Sequence, residues 1–461
     1  VAAGGGMAGR GQVGVLFAVG MFLAGCEEPV VAARAPGLEE AGPAGGEGVG
    51  AMEWSRALVL GDSQAMRAAV APNGDVLLVA AYGRPIDLGG GPLPFDRAAR
   101  SSHLLVARYS KEGTLRWARG LVPRGTVRTQ VGAVGMSAEG EVLLGGTSAG
   151  FQLGEAWLPE GPFLARMTSE GALSWVHSFP GEGPLTVGAV AVEPTSGDVV
   201  MVGDFAGHRD FGTGELSVPG DRLGAFVARF TAQGAPSWSR AYGTRKGDVS
   251  ARALAVDAFG EVVVAGSYAG AVSFGGSTFV TTRPRTPFVL KLSREGAHRW
   301  SREVSGADGV AQAVAVGVDH VFLAGTYTGR FFFSQQTFES DWQDGFVATF
   351  GSQGEARWAR SFAASATALA ADGAGQVLVA GAHDGGLDVG KRDWRAGLYV
   401  TKLLPEDGSS VWARGFVGTG ALQASTVAVD ASGHALVAGS LAGPRTPGSN
   451  ARDGFLLRLK P

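Results

Sequence analysis

The sequence predicts an all-β chain folded as one seven-bladed β-propeller of four-stranded antiparallel blades. Three observations predict it. Tryptophan recurs at Trp54, Trp117, Trp175, Trp238, Trp300, Trp358 and Trp412, at intervals of 54 to 63 residues. Two further phrases keep the same spacing. The repeats also open on an orphan tryptophan strand and close on a copy that lacks one. Self-similarity at a fixed period marks a repeat architecture, and four short strands per repeat mark a propeller blade.

Composition agrees. The chain has 461 residues, 75 of them glycine, about 16% against the ~7% of ordinary proteins. Its net charge of -3 excludes a nucleic-acid binder held by bulk positive charge. The 45% hydrophobic content excludes a disordered chain.

The N-terminus reads as residues 1–25 signal peptide, 26–51 lipidated cysteine and tether, and 52–461 propeller. Arg10 precedes fifteen uncharged residues, with an apolar centre from Val15 to Val19. That is too short to span a bilayer and suits the apolar part of a secretory signal. The sole cysteine, Cys26, follows Leu23-Ala24-Gly25. Residues 27–51, rich in Ala, Gly, Pro and Glu, read as a flexible tether.

Within each repeat the tryptophan strand carries a signature. Arginine follows two residues on, at Arg56, Arg119, Arg240, Arg302, Arg360 and Arg414, with His177 in the third copy. Glycine stands four residues ahead at Gly113, Gly171, Gly234, Gly296, Gly354 and Gly408. A second phrase ends at Ala81, Gly146, Gly203, Gly266, Gly325, Gly381 and Gly439. A third, apolar with a late basic residue, starts at Leu105, Phe163, Phe226, Phe288, Phe346, Tyr399 and Phe455. In the fourth copy the strands read as 254–257, 262–267, 288–292 and 299–304, joined by tight turns where glycine takes positive φ. The strand holding Trp54 is expected to pair with 455–460, closing the ring and removing an exposed sheet edge. The seven tryptophans are expected to dock neighbouring blades, since an indole buries a large apolar face and needs one acceptor for its N–H.

Phrases such as Ala-Val-Asp-Ala-Phe-Gly-Glu-Val-Val-Val-Ala-Gly266 and Gly-Phe-Val-Ala-Thr-Phe350 resemble the bacterial seven-bladed propeller (SBBP) repeats over 52–461. The resemblance implies an extracytoplasmic propeller. The middle phrase is also similar to NHL repeats. The run from Ala107 through Gly113 to Trp117 resembles the tryptophan-docking motif of quinoprotein propellers, but the family's acidic or Asn position holds Tyr109, Met167, Phe230, Leu292 and Phe350. That departure supports the docking role and gives no support for the cofactor. Leu23-Ala24-Gly25-Cys26 resembles a bacterial lipobox, which implies a diacylglycerol on Cys26.

The connections between second and third strands are long, 22 residues from Gly266 to Phe288, and are expected to present the binding face. Trp342 fits no repeat position and shares its loop with Phe331 and Phe332. These three are candidate ligand contacts. Arg252, Gln312, Thr367 and Ser425 are expected at the mouth of the central channel; Arg252 and Gln312 join the candidates. Trp157 and Trp394 are expected to pack their own loops. The histidines occupy unlike repeat positions, so no metal or cofactor is expected. Asp257 and Asp430 hold equivalent turn positions, where turn stabilisation explains them.

These readings point to a monomeric, lipid-anchored binding or scaffold protein of the bacterial cell envelope, at the outer membrane, on its periplasmic side or at the cell surface. Its partners would be the membrane, through Cys26, and a protein or glycan, with no nucleic acid and no enzymatic role. A propeller enzyme acting on a small molecule or sugar at the long-loop face is the alternative.

Overall fold

The computed structural model describes residues 38–41, 48–60, 66–125, 127, 129–153, 155–385, 396–418, 420–442 and 452–461. Cys26 and Trp394 lie outside them. Seven antiparallel sheets form the blades, and no helix occurs among the described residues. Blade four is typical, with strands Gly247–Val256, Val262–Ser273, Thr278–Leu292 and His298–Glu303 from the channel outward.

Seven apolar cores hold the ring, one between each pair of successive blades. The core between blades four and five joins Val263, Val289 and Trp300 to Leu323, Phe346 and Phe350. The core between blades seven and one joins Trp54, Leu436 and Leu456 to Met66, Leu78 and Leu105. Circular closure therefore leaves no blade interface open.

Closure is made by the strand at 52–58 and the last strand of the chain. Met52–Leu58 pairs antiparallel with Arg452–Leu459, Trp54 opposite Arg458 and Leu58 opposite Gly454. The hairpin turn that other blades have is replaced by two backbone bonds, Lys460 N–H to Ala51 O (2.8 Å) and Gly50 N–H to Pro461 O (3.4 Å). Arg458 pairs with Glu53 at 2.9 Å across the seam and with Asp430 at 2.6 Å.

Docking follows one geometry. Each indole lies against a positive-φ glycine of the next outer turn, and six of the seven donate to a carbonyl two or three residues before it. Trp54 donates to Lys111 O (2.9 Å), Trp117 to Ser169 O (2.8 Å), Trp175 to Ala232 O (3.0 Å) and Trp238 to Arg294 O (2.8 Å). Trp300 donates to Ser352 O (2.9 Å) and Trp358 to Pro405 O (2.8 Å). The seventh glycine is Gly50, four residues ahead of Trp54, which the repeat reading left in the tether; a Cβ there would lie 2.8 Å from Trp412. Trp412 Nε1 has no acceptor among the described residues. Five of the indoles are buried and two, Trp117 and Trp175, are half-buried. Burying one contributes several kcal/mol at ~25 cal/mol per Å², an upper estimate. The residue two positions on clamps the same turn: Arg302 Nε donates to Gly354 O (2.7 Å), Arg360 Nη1 to Gly408 O (2.5 Å) and Arg414 Nη2 to Val49 O (2.6 Å). His177 Nε2, 2.7 Å from Gly234 O, takes the arginine's part in its copy.

The late basic residue of the third strand is buried and ion-paired to its own blade's inner turn. Arg108 meets Asp75 (2.8 Å), Lys291 meets Glu261 (2.7 Å) and Lys402 meets Asp372 (2.8 Å). Arg229 meets Glu193 (3.0 Å) and Asp198 (2.9 Å), and Arg166 meets Glu141. Arg108 Nη1 also donates to Ser169 O of the next blade at 2.8 Å. Such pairs cost desolvation, so their clearest contribution is to fix geometry. Blade five carries Thr349 there instead. Asp257 Oδ1 accepts from the N–H groups of Phe259 and Glu261, and Asp430 Oδ1 from those of Ser432 and His434, so both stabilise turns.

Three expectations change. Residues 38–41, read as tether, form a strand on the outer edge of blade six, Leu38 opposite Gly418, with Leu38 buried in the core between blades six and seven. An unpaired outer strand offers free N–H and C=O groups, and this segment satisfies them. The long connections are largely β-structure: the second and third strands of blades two, four and five continue outward as hairpins, for example His320–Phe333 with Gln336–Gly351. Finally, the first copy's second phrase ends at Ala80, which pairs with Met66, and not at Ala81.

That last point explains the phrase's glycine. In blades two to five and seven the first strand bulges, the register slipping at Gly132, Gly188, Arg252, Gln312 and Ser425. The bulge drives a carbonyl onto the second strand. A Cβ at Gly266 would lie 1.8 Å from Ser250 O, and one at Gly146, Gly203, Gly325, Gly381 or Gly439 1.8–2.1 Å from the matching oxygen. Blade one pairs Met66 with Ala80 without a slip, so alanine is tolerated there.

Candidate binding site

The bulges make the site. A β-bulge re-aims a side chain that regular alternation would send elsewhere. Here the bulge residues Arg252, Gln312 and Ser425, with Thr367 in the equivalent place of blade six, line one cavity of about 700 Å³ at the mouth of the channel. They lie near the beginning of the first strands and the end of the second, so the mouth opens on the face from which the long hairpins leave. Gly132 and Gly188 are the bulge residues of blades two and three. A Cβ on either would meet the next blade's backbone, 1.8 Å from Val187 O and 2.5 Å from Ala251 O. Glycine there lets the neighbouring blade's backbone approach that closely.

Most of the polar lining is tied into the wall. Thr367 Oγ1 donates to Ala424 O at 3.1 Å and Ser425 Oγ to Ala438 O at 3.2 Å. Gln312 Nε2 lies 3.5 Å from Thr326 Oγ1. Asp204, at the end of its blade's second strand, accepts from Ser250 Oγ (2.8 Å) and Ala251 N–H (2.7 Å). Burial raises its carboxyl above the usual aspartate range, while those bonds and the charge of Arg252 oppose the rise. Arg67 donates from Nε to Gly132 O (3.3 Å) and from Nη1 to Met66 O (3.2 Å). Burial lowers the pKa of Arg67 from its ordinary value.

All four residues expected at the mouth are brought together there. Arg67, Asp204, Thr186, Gln423 and Ser440 complete the lining and were not anticipated. Thr186 and Gln423 share one repeat position, two residues ahead of the bulge, and Asp204 and Ser440 share another, directly after the closing glycine, but the expectation for the mouth rests on the bulge positions only. The other candidates are separated. Trp342 is 82% exposed, at the crest of a bulge in the third strand of blade five, its N–H on Ser340 Oγ. Phe332 is 53% exposed. Phe331 is fully buried, its ring 4.6 Å from Tyr327 and 4.7 Å from Phe338, so it has no face for a ligand. Strand alternation sends Phe331 and Phe333 inward and only Phe332 outward. Trp157 lies on its own hairpin beneath the Arg124 guanidinium, 5.9 Å from the ring centre.

A second hollow, about 890 Å³, lies between the loops of blades one and two, beside Asp96, Arg100, Arg124 and Gln152. Loops hold most of its walls, with Gly120 and Gln152 contributed by strands. The channel mouth is better preorganised, since rigid strands of all seven blades set it.

No protein-family model matches the chain, and no curated protein matches it in sequence. Among solved structures it is similar to a protein of unknown function from Dyadobacter fermentans, at 12% identity, 92% of this chain, 100% of that chain and TM-score 0.43. It is also similar to YCF48 bound to D1 peptide (12%, 90% and 98%, 0.45). A third is the quinohemoprotein alcohol dehydrogenase from Comamonas testosteroni (11%, 89% and 76%, 0.44). Likenesses this distant carry no argument about activity.

Proposed function

We propose that this chain is a lipid-anchored binding or scaffold protein of the bacterial cell envelope, presenting the long-hairpin face of its propeller to a protein or glycan. The observation that carries the reading is the asymmetry of the two faces. One face has tight turns locked by buried ion pairs from Arg108 to Arg458. The other has projecting hairpins, the exposed Trp342 and Phe332, and a polar channel mouth on a rigid frame. Binding groups concentrate where adaptable segments stand on a rigid scaffold. The lipobox-like Leu23-Ala24-Gly25-Cys26 supports the anchor; more than one acyl chain would be needed to hold the protein firmly.

The test has two arms. Cys26→Ser should abolish incorporation of labelled fatty acid and move the chain from the membrane fraction to the soluble one. The full chain in detergent should capture a protein or glycan from envelope extracts, and Trp342→Ala or Phe332→Ala should reduce that capture. Fractionation unchanged by Cys26→Ser would overturn the anchor. Capture that survives both hairpin variants and every mouth variant would overturn the binding face.

A further inference from the structure

We infer that the channel mouth binds a compact oxyanion bearing hydroxyl groups, such as a sugar acid or a small hydroxy acid, with Arg67 and Arg252 holding the anionic group. The inference deepens the binding role proposed above and rests on it for the face concerned.

Charge is the first reason. Among the described residues two arginines and one aspartate line the mouth, +2 against -1, a net +1. Most buried cations among the described residues are paired to a carboxylate, whereas Arg209 is held by the backbone carbonyls of Phe179, Glu182 and Gly183. Arg108, Arg166, Arg229, Lys291, Lys402 and Arg458 each have a carboxylate on the opposite face. Neither Arg67 nor Arg252 has an ion pair among the described residues. The carboxylate of Asp204 is already engaged by Ser250 and Ala251.

Arg67 shows how the group would be held. Two backbone carbonyls take its Nε and one Nη1 hydrogen and fix the plane of the guanidinium. The Nη2 hydrogens make no protein bond among the described residues. Burial already disfavours its charge, and an anion would compensate. With Nε and one Nη1 hydrogen engaged, the guanidinium still offers its Nη2 hydrogens and the remaining Nη1 hydrogen to a carboxylate or phosphate oxygen. Arg252, projected by its bulge from blade four, supplies the second cation.

The rest of the lining selects the body of the ligand. Gln312, Gln423 and Thr186 are amide or hydroxyl side chains that donate and accept, and Thr367 and Ser425, whose hydroxyl hydrogens go to the wall, accept, as vicinal hydroxyl groups require. Among the described residues no aromatic side chain lines the mouth, so polar contacts are expected to carry affinity. About 700 Å³ matches small-molecule sites.

The experiment is thermal shift followed by calorimetric titration of the full chain in detergent at fixed ionic strength. The probes are glucuronate, glycerate, glycerol phosphate, inorganic phosphate, chloride and glucose. The two carboxylates and glycerol phosphate separate a carboxylate from a phosphate source. At least one hydroxylated anion should raise the melting temperature above the effect of inorganic phosphate, chloride and glucose. Arg252→Gln, at an exposed position that folding tolerates, and Arg67→Gln should each weaken that ligand about tenfold to a hundredfold, the worth of a charge-assisted contact. Asp204→Asn should tighten it by removing the opposing charge. A flat response to all three hydroxylated anions, an equal response to glucose or chloride, or undiminished affinity in the Arg67→Gln/Arg252→Gln double variant would overturn the inference. A flat panel with capture of a macromolecule intact would sink this inference alone.

Discussion

Gly354→Ala isolates the contact that repeats round the ring. Gly354 has φ of +82°, and a Cβ on it would lie 2.7 Å from Trp300 Cδ2 and 2.9 Å from Cε3. Gly375 has almost the same backbone, φ of +80°, but a Cβ there would meet nothing within 4 Å. Alanine in the left-handed region costs about 1–2 kcal/mol at either site. The lower entropy of the unfolded chain returns about 0.4–1 kcal/mol. Gly375→Ala should therefore cost about 1 kcal/mol or less. Gly354→Ala must also displace an indole that is 6% exposed, bonded to Ser352 O, with Arg302 on the same turn. Overpacking of that kind adds about 1–3 kcal/mol, for a total of about 1–4 kcal/mol. Urea unfolding followed by tryptophan fluorescence reads both, with the shift in midpoint compared at equal slope. Equal destabilisation by the two substitutions would refute indole-on-glycine docking as the cement of the blade junctions.

Two further outcomes follow from the same geometry. Removing 51–58 takes away the strand that pairs with Arg452–Leu459 and the indole of Trp54, so the melting temperature should fall sharply and the chain should self-associate through the bared edge; calorimetry and light scattering check it, and an unchanged transition would contradict ring closure. Asp204→Asn keeps both hydrogen bonds, its amide donating to Ser250 Oγ and its oxygen accepting from Ala251 N–H. Because burial raises the native pKa of Asp204 above the unfolded one, ionisation disfavours the folded state. Its contribution is present in full below the unfolded pKa and is lost as pH rises through the folded value. The asparagine variant should thus gain on the native protein between about pH 4 and pH 7, read as a growing difference in urea midpoint; a constant difference across that range would refute it.

Blade number, ring closure, the docking tryptophans and the turn role of Asp257 and Asp430 were all legible in the sequence. Each depends on spacing within one repeat of 54 to 63 residues, and local pattern records it directly. Gly50 was legible too, four residues ahead of Trp54 like its six counterparts, but the flanking Ala, Gly and Glu drew it into the tether. The strand at 38–41 was not, because four residues of Leu-Glu-Glu-Ala become a strand only against the free edge of blade six.

The sequence placed Arg252, Gln312, Thr367 and Ser425 at the mouth, and tertiary structure alone added Arg67 and Asp204 and decided how the side chains are aimed. A one-residue slip in a strand reverses which face a side chain takes, and the sequence does not display the slip. Once the bulges exist, Arg252, Gln312 and Ser425 point to one axis, and Arg67 and Asp204 meet them from other blades. The same kind of decision put Phe331 inside and Phe332 outside. The chain's period therefore determined how many blades there are and how they are cemented; convergence of single residues from distant repeats on a common axis determined what the mouth presents.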